Sequence, residues 1–183
     1  MAVALAACCM VGLAACSSSA DQDKASDESP GVTQSPTAKA TTDPKDTAKK
    51  EAIAAYSAYW QEMEKLYGAP SGKGIHLDQY AASAALKNAE SDAKRAHDRG
   101  RIYIGGVTLT DQTVTTVDTS GKIPNVTVSS CLDISQWKTV DAKTKKPVSL
   151  PENRLTRYLI VSVVEKYPEG WRVTRDEPQG KSC

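Results

Sequence analysis

The chain has 183 residues, a formal net charge of +1, 25% charged residues and 40% hydrophobic residues. This length suits one domain of about 100–150 residues with additional tails, and it excludes a barrel enzyme of about 250 residues. The near-neutral charge argues against a nucleic-acid partner, because nucleic-acid-binding proteins carry a basic excess on one face.

Residues 1–15 form an uncharged, mostly apolar segment that predicts a signal peptide. The segment is shorter than the roughly 20 residues needed to span a bilayer, but it suits the apolar region of an export signal. Unlike most signal peptides, it has no Lys or Arg ahead of the apolar stretch.

Residues 13–16, Leu-Ala-Ala-Cys, resemble the bacterial lipobox, a motif in which the cysteine receives a diacylglycerol before cleavage. Residues 5–8 have the same pattern, but cleavage before Cys8 would leave a signal of only seven residues. We therefore predict that Cys16 is lipidated, with palmitate-type acyl chains that hold the protein in the membrane lipid. The predicted location is the extracytoplasmic face of the cell membrane.

The chain contains five cysteines, of which maturation removes Cys8 and Cys9 and lipidates Cys16. The remaining pair, Cys131 and Cys183, favours one disulfide, because an even remainder in an exported chain is typical of a bridge. Such a bridge would close a loop of about 50 residues and stabilise the fold by roughly 4 kcal/mol. A zinc site that used the same cysteines with the two histidines would lack a close ligand pair, so no metal or cofactor is predicted.

Residues 16–43 predict a disordered tether between the lipidated cysteine and a folded domain. The segment is rich in Ser, Thr, Asp, Ala and Pro and has almost no large apolar residue, so it cannot bury enough surface to fold. The sequence therefore divides into a signal peptide at 1–15, an anchor and tether at 16–43, and a single domain at 44–183.

The domain begins with two predicted helices. Asp43 suits an N-cap and Pro44 the first helical position, and apolar residues then recur at spacings of three and four up to Tyr67. A glycine-rich segment at 68–72 ends this helix. A second helix is predicted over residues 78–99, with Gly100 as its C-cap and alanines on its apolar face.

After Gly100 the apolar pattern alternates with period two, which predicts antiparallel strands. The first is expected over residues 102–109 with Gly105 and Gly106 at a bulge or bend, and others over 112–118, 125–133, 137–140, 155–167 and 171–175. The strand at 155–167 is apolar on both faces, which predicts a central position covered on both sides. Two helices followed by antiparallel strands indicate an α+β fold.

The domain resembles small exported actinobacterial lipoproteins of unknown function, whose fold is similar to the cone-shaped nuclear transport factor two-like fold, also called cystatin-like. The residues that carry the resemblance are 55–60, 100–106, 131–137, 140–141, 155–158, 170–171 and Cys183. It implies a curved antiparallel sheet that wraps two N-terminal helices and often leaves an apolar cavity. Proteins of this fold include isomerases, dehydratases and modules without chemistry, so the fold does not select a function.

The sequence contains no nucleophile elbow, phosphate loop or zinc-binding helix motif, so no catalytic residue is predicted. The candidates for a carboxylate base inside the cone are Asp118, Asp133 and Glu165, although Asp133 also suits a turn cap or a pair with Arg157. The candidates for a ligand wall are Tyr56, Trp60, Tyr103, Asp133 and Tyr158. The alternative is that Tyr56 and Trp60 fill the core against Trp171 or Tyr158.

The leading hypothesis is a lipid-anchored extracytoplasmic binding or interaction module, whose partner is a small hydrophobic ligand or an envelope protein. The alternatives are a small cone-fold isomerase, dehydratase or hydrolase on a hydrophobic substrate, and an accessory subunit of an envelope transport complex. An ionisable group inside the cavity distinguishes the enzyme hypothesis, because an apolar cavity offers neither acid nor base.

Overall fold

The computed structural model describes residues 43–183. The predicted signal peptide, Cys16 and residues 17–42 of the predicted tether lie outside this range. The helices are α1 (Pro44–Gly68), α2 (Leu77–Tyr80) and α3 (Ser83–Asp98), and none of these three is long and apolar enough to cross a membrane. The strands are β1 (Arg101–Ile104), β2 (Thr108–Asp118), β3 (Asn125–Asp133), β4 (Lys138–Asp141), β5 (Arg157–Tyr167) and β6 (Gly170–Pro178).

Helix α1 begins where the capping pattern predicted. The Asp43 side chain accepts a hydrogen bond of 2.8 Å from the Lys45 backbone N–H, and Pro44 occupies the first turn, where no intrahelical N–H bond is needed. The helix buries one face, made of Ala48, Ala52, Ala55, Tyr56, Tyr59, Trp60, Glu62 and Met63. Two of its aromatic residues, Tyr59 and Trp60, line the cavity described below.

The predicted helix over 78–99 is wrong in one respect, since the structure divides it at Ala81 and Ala82. Ala81 forms a parallel bridge with Val173, and the Ala82 backbone N–H donates to the Val173 carbonyl at 2.9 Å. A residue paired with a strand is extended and cannot continue the helical hydrogen bonding, so a short α2 precedes α3. The alanine face of α3 is buried, as predicted, through Ala85, Ala89 and Ala93.

A four-stranded antiparallel sheet in the order β2-β3-β5-β6 forms the larger layer. Strand β5 is central, as predicted, and its inner residues Ile160, Ser162 and Val164 are buried. Its outer residues, such as Val161, are only half-buried, because the helices pack on one face of the sheet. The prediction of cover on both sides is therefore wrong for the outer face.

Gly105 and Gly106 separate two strands rather than bending one. Strand β1 before them pairs with β4 in a two-stranded sheet, and β2 after them pairs with β3. The predicted strand over 102–109 is therefore two strands in different sheets. The break predicted before residue 112 is a bulge within β2, where Asp111 adopts a φ of 51°, and a bulge adds a residue without ending a strand.

The helices and the concave face of the sheet enclose one core, whose largest fully buried side chains include Tyr56, Tyr59, Leu132 and Ile160. A disulfide joins Cys131 to Cys183, as predicted, with a Cα–Cα distance of 5.8 Å. Helices packed on a curved antiparallel sheet confirm the α+β class and are the arrangement that the nuclear transport factor two-like resemblance implied.

Candidate functional site

A cavity of about 320 Å³ lies between α1, α3 and the strands β5 and β6. This volume is at the small end of the roughly 300–1,000 Å³ that ligand pockets occupy. Its lining residues are Tyr59, Trp60, Met63, Tyr67, Ala85, Asn88, Ala89, Asp92, Trp137, Tyr158, Ile160, Asp176 and Pro178. The alanines of α3 form one wall, and their small side chains leave the space that the cavity occupies.

Five aromatic side chains form most of the remaining wall, namely Tyr59, Trp60, Tyr67, Trp137 and Tyr158. Four of them are linked by ring contacts. Trp60 meets Tyr59 and Trp137 edge-on at centroid distances of 5.6 and 6.3 Å, and Tyr67 meets Trp137 at 5.0 Å. Edge-on contacts of this kind are the favoured arrangement of aromatic pairs, so the wall is a continuous aromatic surface.

Asp176 of β6 is the ionisable group inside this cavity. Asp176 is half-buried, and the protein atoms packed around its carboxylate desolvate it. The Ser162 hydroxyl donates to Oδ1 at 2.5 Å, and the Tyr59 hydroxyl donates to Oδ2 at 3.4 Å. None of the ion pairs within residues 43–183 involves Asp176.

Desolvation raises the pKa of Asp176 to about 7, although the hydrogen bonds from Ser162 and Tyr59 favour the charged form and offset part of this shift. Burial also raises the pKa of Tyr56 to about 12 and that of Tyr59 well above its usual value. Both tyrosines are therefore neutral near pH 7. Asp176, which lies beside them, is the group that changes its charge near pH 7.

A buried polar group lies behind the carboxylate. Ser162 is the cross-strand neighbour of Asp176, and the Tyr56 hydroxyl makes a 2.9 Å hydrogen bond with the Ser130 hydroxyl on β3. Ser130 and Ser162 are both fully enclosed in the core. Buried hydroxyls need hydrogen-bond partners. The bond from Ser162 therefore fixes the side of the carboxylate that faces away from the cavity.

Trp60 and Trp137 line the cavity, and both residues are buried. Their indole nitrogens are themselves buried, so an occupant of the cavity does not reach them. The Trp60 nitrogen lies beside the Tyr56 hydroxyl, behind the lining. These two residues therefore offer the cavity aromatic surface.

The structure brings two of the five predicted wall residues, Trp60 and Tyr158, into the cavity lining. Tyr56 lies behind the lining with Ser130, and Tyr103 meets Tyr67 edge-on at a centroid distance of 5.0 Å. Asp133 lies away from the cavity. Its carboxylate caps the Ser135 N–H at 2.8 Å and pairs with Arg157 at 3.6 Å, the alternative that the sequence also suggested.

The two other carboxylates considered as bases are also outside the cavity. Asp118 accepts backbone hydrogen bonds from Ser120 and Gly121 in the turn after β2, and these bonds lower its pKa. Glu165 is half-buried and lies opposite Arg172 in the β5–β6 register. Trp171, proposed as a packing partner of Tyr56 and Trp60, belongs to the same core and donates its indole N–H to Glu51 at 2.7 Å.

Sequence reasoning missed Asp176 because of a bulge in β6. Strict alternation from the buried Trp171 and Val173 would turn residue 175 inward and residue 176 outward. The register between β5 and β6 shifts beside Val163 and Val164, so Thr174 is buried, Arg175 is exposed and Asp176 faces the interior. The alternating pattern contains no mark of that shift.

No protein-family model matches the sequence, and no curated protein matches it. Among solved structures, the chain is similar to the intermembrane space region of the chloroplast protein ARC6. The two share 20% identity and a TM-score of 0.50, over 72% of this chain and 95% of that one. This likeness shows a shared fold.

Two further solved structures are more distant. The Kfla4162 protein from Kribbella flavida has 10% identity and a TM-score of 0.41, over 73% of this chain and 90% of that one. A proposed dehydratase of the NTF2-like family from Streptomyces avermitilis has 16% identity and a TM-score of 0.36, over 73% and 96% of the two chains.

Residues 43–183 contain no group of three or more His, Cys, Asp or Glu side chains placed to hold a metal ion. What the site offers is therefore hydrogen bonding, charge and aromatic surface. A carboxylate that titrates near neutral pH can bind a partner of opposite charge or accept a proton from a bound molecule.

Proposed function

We propose that this protein is an extracytoplasmic small-ligand-binding domain, held at the membrane by a lipid on Cys16. The observation that carries the proposal is the half-buried Asp176 carboxylate in an aromatic cavity, where residues 43–183 supply hydrogen bonds but no cation. A desolvated charge without a partner is costly. We expect such a group where a bound ligand supplies the missing charge interaction.

Native mass spectrometry of the mature chain, purified from its own envelope, tests ligand binding. We expect a discrete added mass on the wild-type protein and a bare mass on Asp176→Asn. Glu177→Gln is the matched control, because it removes the same charge from the neighbouring exposed residue. A bare wild-type mass would contradict a resident ligand, and an added mass that survives Asp176→Asn would place the ligand elsewhere.

Metabolic labelling with palmitate tests the anchor. The wild type and Cys8→Ala should incorporate the label, whereas Cys16→Ala should not, because the lipobox at 13–16 supplies the acylated thiol. Label retained by Cys16→Ala, or lost in Cys8→Ala, would contradict the assignment of Cys16.

A second function, a small cone-fold enzyme, is favoured by one specific observation. The pKa of Asp176 is raised to about 7, which is where a general base works best at neutral pH. Re-incubation of the extracted ligand with fresh protein separates the two functions. An unchanged ligand supports the binding domain, and conversion to a product that depends on Asp176 supports the enzyme.

A further inference from the structure

We infer that the cavity selects a small organic ammonium compound. The ammonium group would pair with Asp176, and its organic part would pack on the aromatic wall. This assignment rests on the proposed ligand-binding function and gives the chemical class of the ligand.

The charge of the lining favours a cation. Its charged residues are Asp92 and Asp176, and no Lys, Arg or His is among the lining residues. Asp92 already has a cation, because Arg95 on the same helix forms an ion pair with it. Asp176 has none within residues 43–183, so an entering cation would meet an unneutralised carboxylate, and an anion would be repelled by it.

The aromatic wall favours the same ligand. Ring faces attract cations through their negative quadrupole, by about 0.5–2 kcal/mol per contact, and clusters of aromatic rings are a common means of binding organic ammonium groups. Tyr59 and Tyr158 lie in the same lining as the carboxylate. Aromatic rings beside a carboxylate satisfy both the charge and the apolar part of such a ligand.

The volume of the cavity also fits such a ligand. A cavity of about 150 Å³ can hold benzene, and 320 Å³ allows a ring with a short side chain.

Binding should depend on pH through one group. Asp176 is faced by Tyr56 and Tyr59 from α1, by Asp92 from α3 and by Tyr158 and Ser162 from β5, with Glu177 beside it on β6. Burial raises the pKa of all three tyrosines, so they stay neutral. Ionisation of Asp176 between pH 6 and pH 8 should therefore strengthen ammonium binding about tenfold and release a proton at the lower pH.

Isothermal titration calorimetry of the full mature chain with matched probes tests the inference. The probes are 2-phenylethylamine and 1-phenylethanol, which is of similar size but lacks the ammonium group. At pH 8 we expect the amine to bind at least about tenfold more tightly than the alcohol.

Two variants complete the design. Asp176→Asn should abolish the preference for the amine over the alcohol, whereas Glu177→Gln should retain it. Equal binding of the amine and the alcohol would overturn the ammonium assignment while leaving the ligand-binding function in place. If none of the probes binds, the ammonium assignment fails, and the mass-spectrometric measurement on the envelope-purified chain decides the binding function separately.

Discussion

At the scale of single residues, Asp176 makes the fold less stable at neutral pH than it would be without the charge. Its carboxylate is desolvated and receives hydrogen bonds from Ser162 and Tyr59, but no cation among residues 43–183 neutralises it. The folded state therefore holds the Asp176 proton more tightly than the unfolded state does, and its stability depends on pH through this group.

The variant Asp176→Asn should be more stable than the wild type at pH 8, by about 4 kcal/mol, because the amide avoids the desolvated charge and still accepts from Ser162. The folded-state pKa is raised from 3.8 to about 7, so the wild type loses stability as the pH rises through this interval. The difference should therefore vanish below about pH 4. Denaturant unfolding at pH 4, 6 and 8 measures it, and a constant difference across this range would contradict the account.

The same residue shows where prediction from sequence fails. Trp60 and Tyr158 were predicted in the ligand wall, because amphipathic aromatic residues suit a pocket. Asp176 was not, because its inward orientation depends on the bulge opposite Val163 and Val164. A single-residue change of register reverses which side chains face the core, and no local residue pattern in β6 marks it.

At the scale of elements, two departures from the predicted helices and strands have a common cause in long-range pairing. Ala81 and Ala82 are good helix formers, yet their pairing with Val173 holds them extended. In the same way, β1 leaves the main sheet because it pairs with β4. Local propensity is a weak guide where a distant strand supplies the hydrogen bonds.

Gly105 makes the turn between the two sheets possible. Its φ is 87°, and a Cβ at this position would overlap the carbonyl oxygen of Gln136. Gly100 also has a positive φ, of 66°, but a Cβ there would meet open space. The two glycines therefore differ in close contact and not in the sign of φ.

Gly105→Ala should destabilise the fold more than Gly100→Ala, for which left-handed strain alone costs about 1–2 kcal/mol. The additional destabilisation of Gly105→Ala over Gly100→Ala measures the cost of the close approach of the chain to Gln136. Thermal unfolding of the two variants side by side makes the comparison. Equal melting temperatures would show that the backbone at 105 relaxes away from Gln136.

At the scale of the whole molecule, the α+β class and the disulfide were predictable because each depends on a pattern spread along the chain. The change of period after Gly100 separates helices from strands, and two cysteines remain after the predicted maturation. The cavity was predicted only because proteins of the resembled fold often contain one. Its volume depends on how closely the alanines of α3 approach β6, which no periodicity gives.

The disulfide fastens the end of the chain beside the cavity. Cys131 lies opposite Leu159, and the backbone of Leu159 bonds with Gln179 and Lys181 just before Cys183. The segment that follows Asp176 is therefore held by backbone hydrogen bonds to β5 and by the disulfide to β3. Loss of the bridge should loosen the strand end that carries the carboxylate.

Cys183→Ala should lower the free energy of unfolding by about 4 kcal/mol, the entropy of a closed loop that spans 52 residues. Denaturant unfolding with and without reductant measures the loss. Reductant should shift the wild type to the stability of Cys183→Ala and leave the variant unchanged. An unchanged midpoint for the variant would show that the bridge adds no stability.

The central claim is that Asp176 is a desolvated carboxylate without a cation, placed to meet a ligand in the cavity. Carbon-13 NMR titration of the Asp176 side-chain carboxyl in the mature protein tests it most directly. We predict a pKa near 7 in the ligand-free protein, against 3.8 for an ordinary aspartate, because burial disfavours the charge. A pKa near 4 would show a solvated or paired carboxylate and would contradict the account.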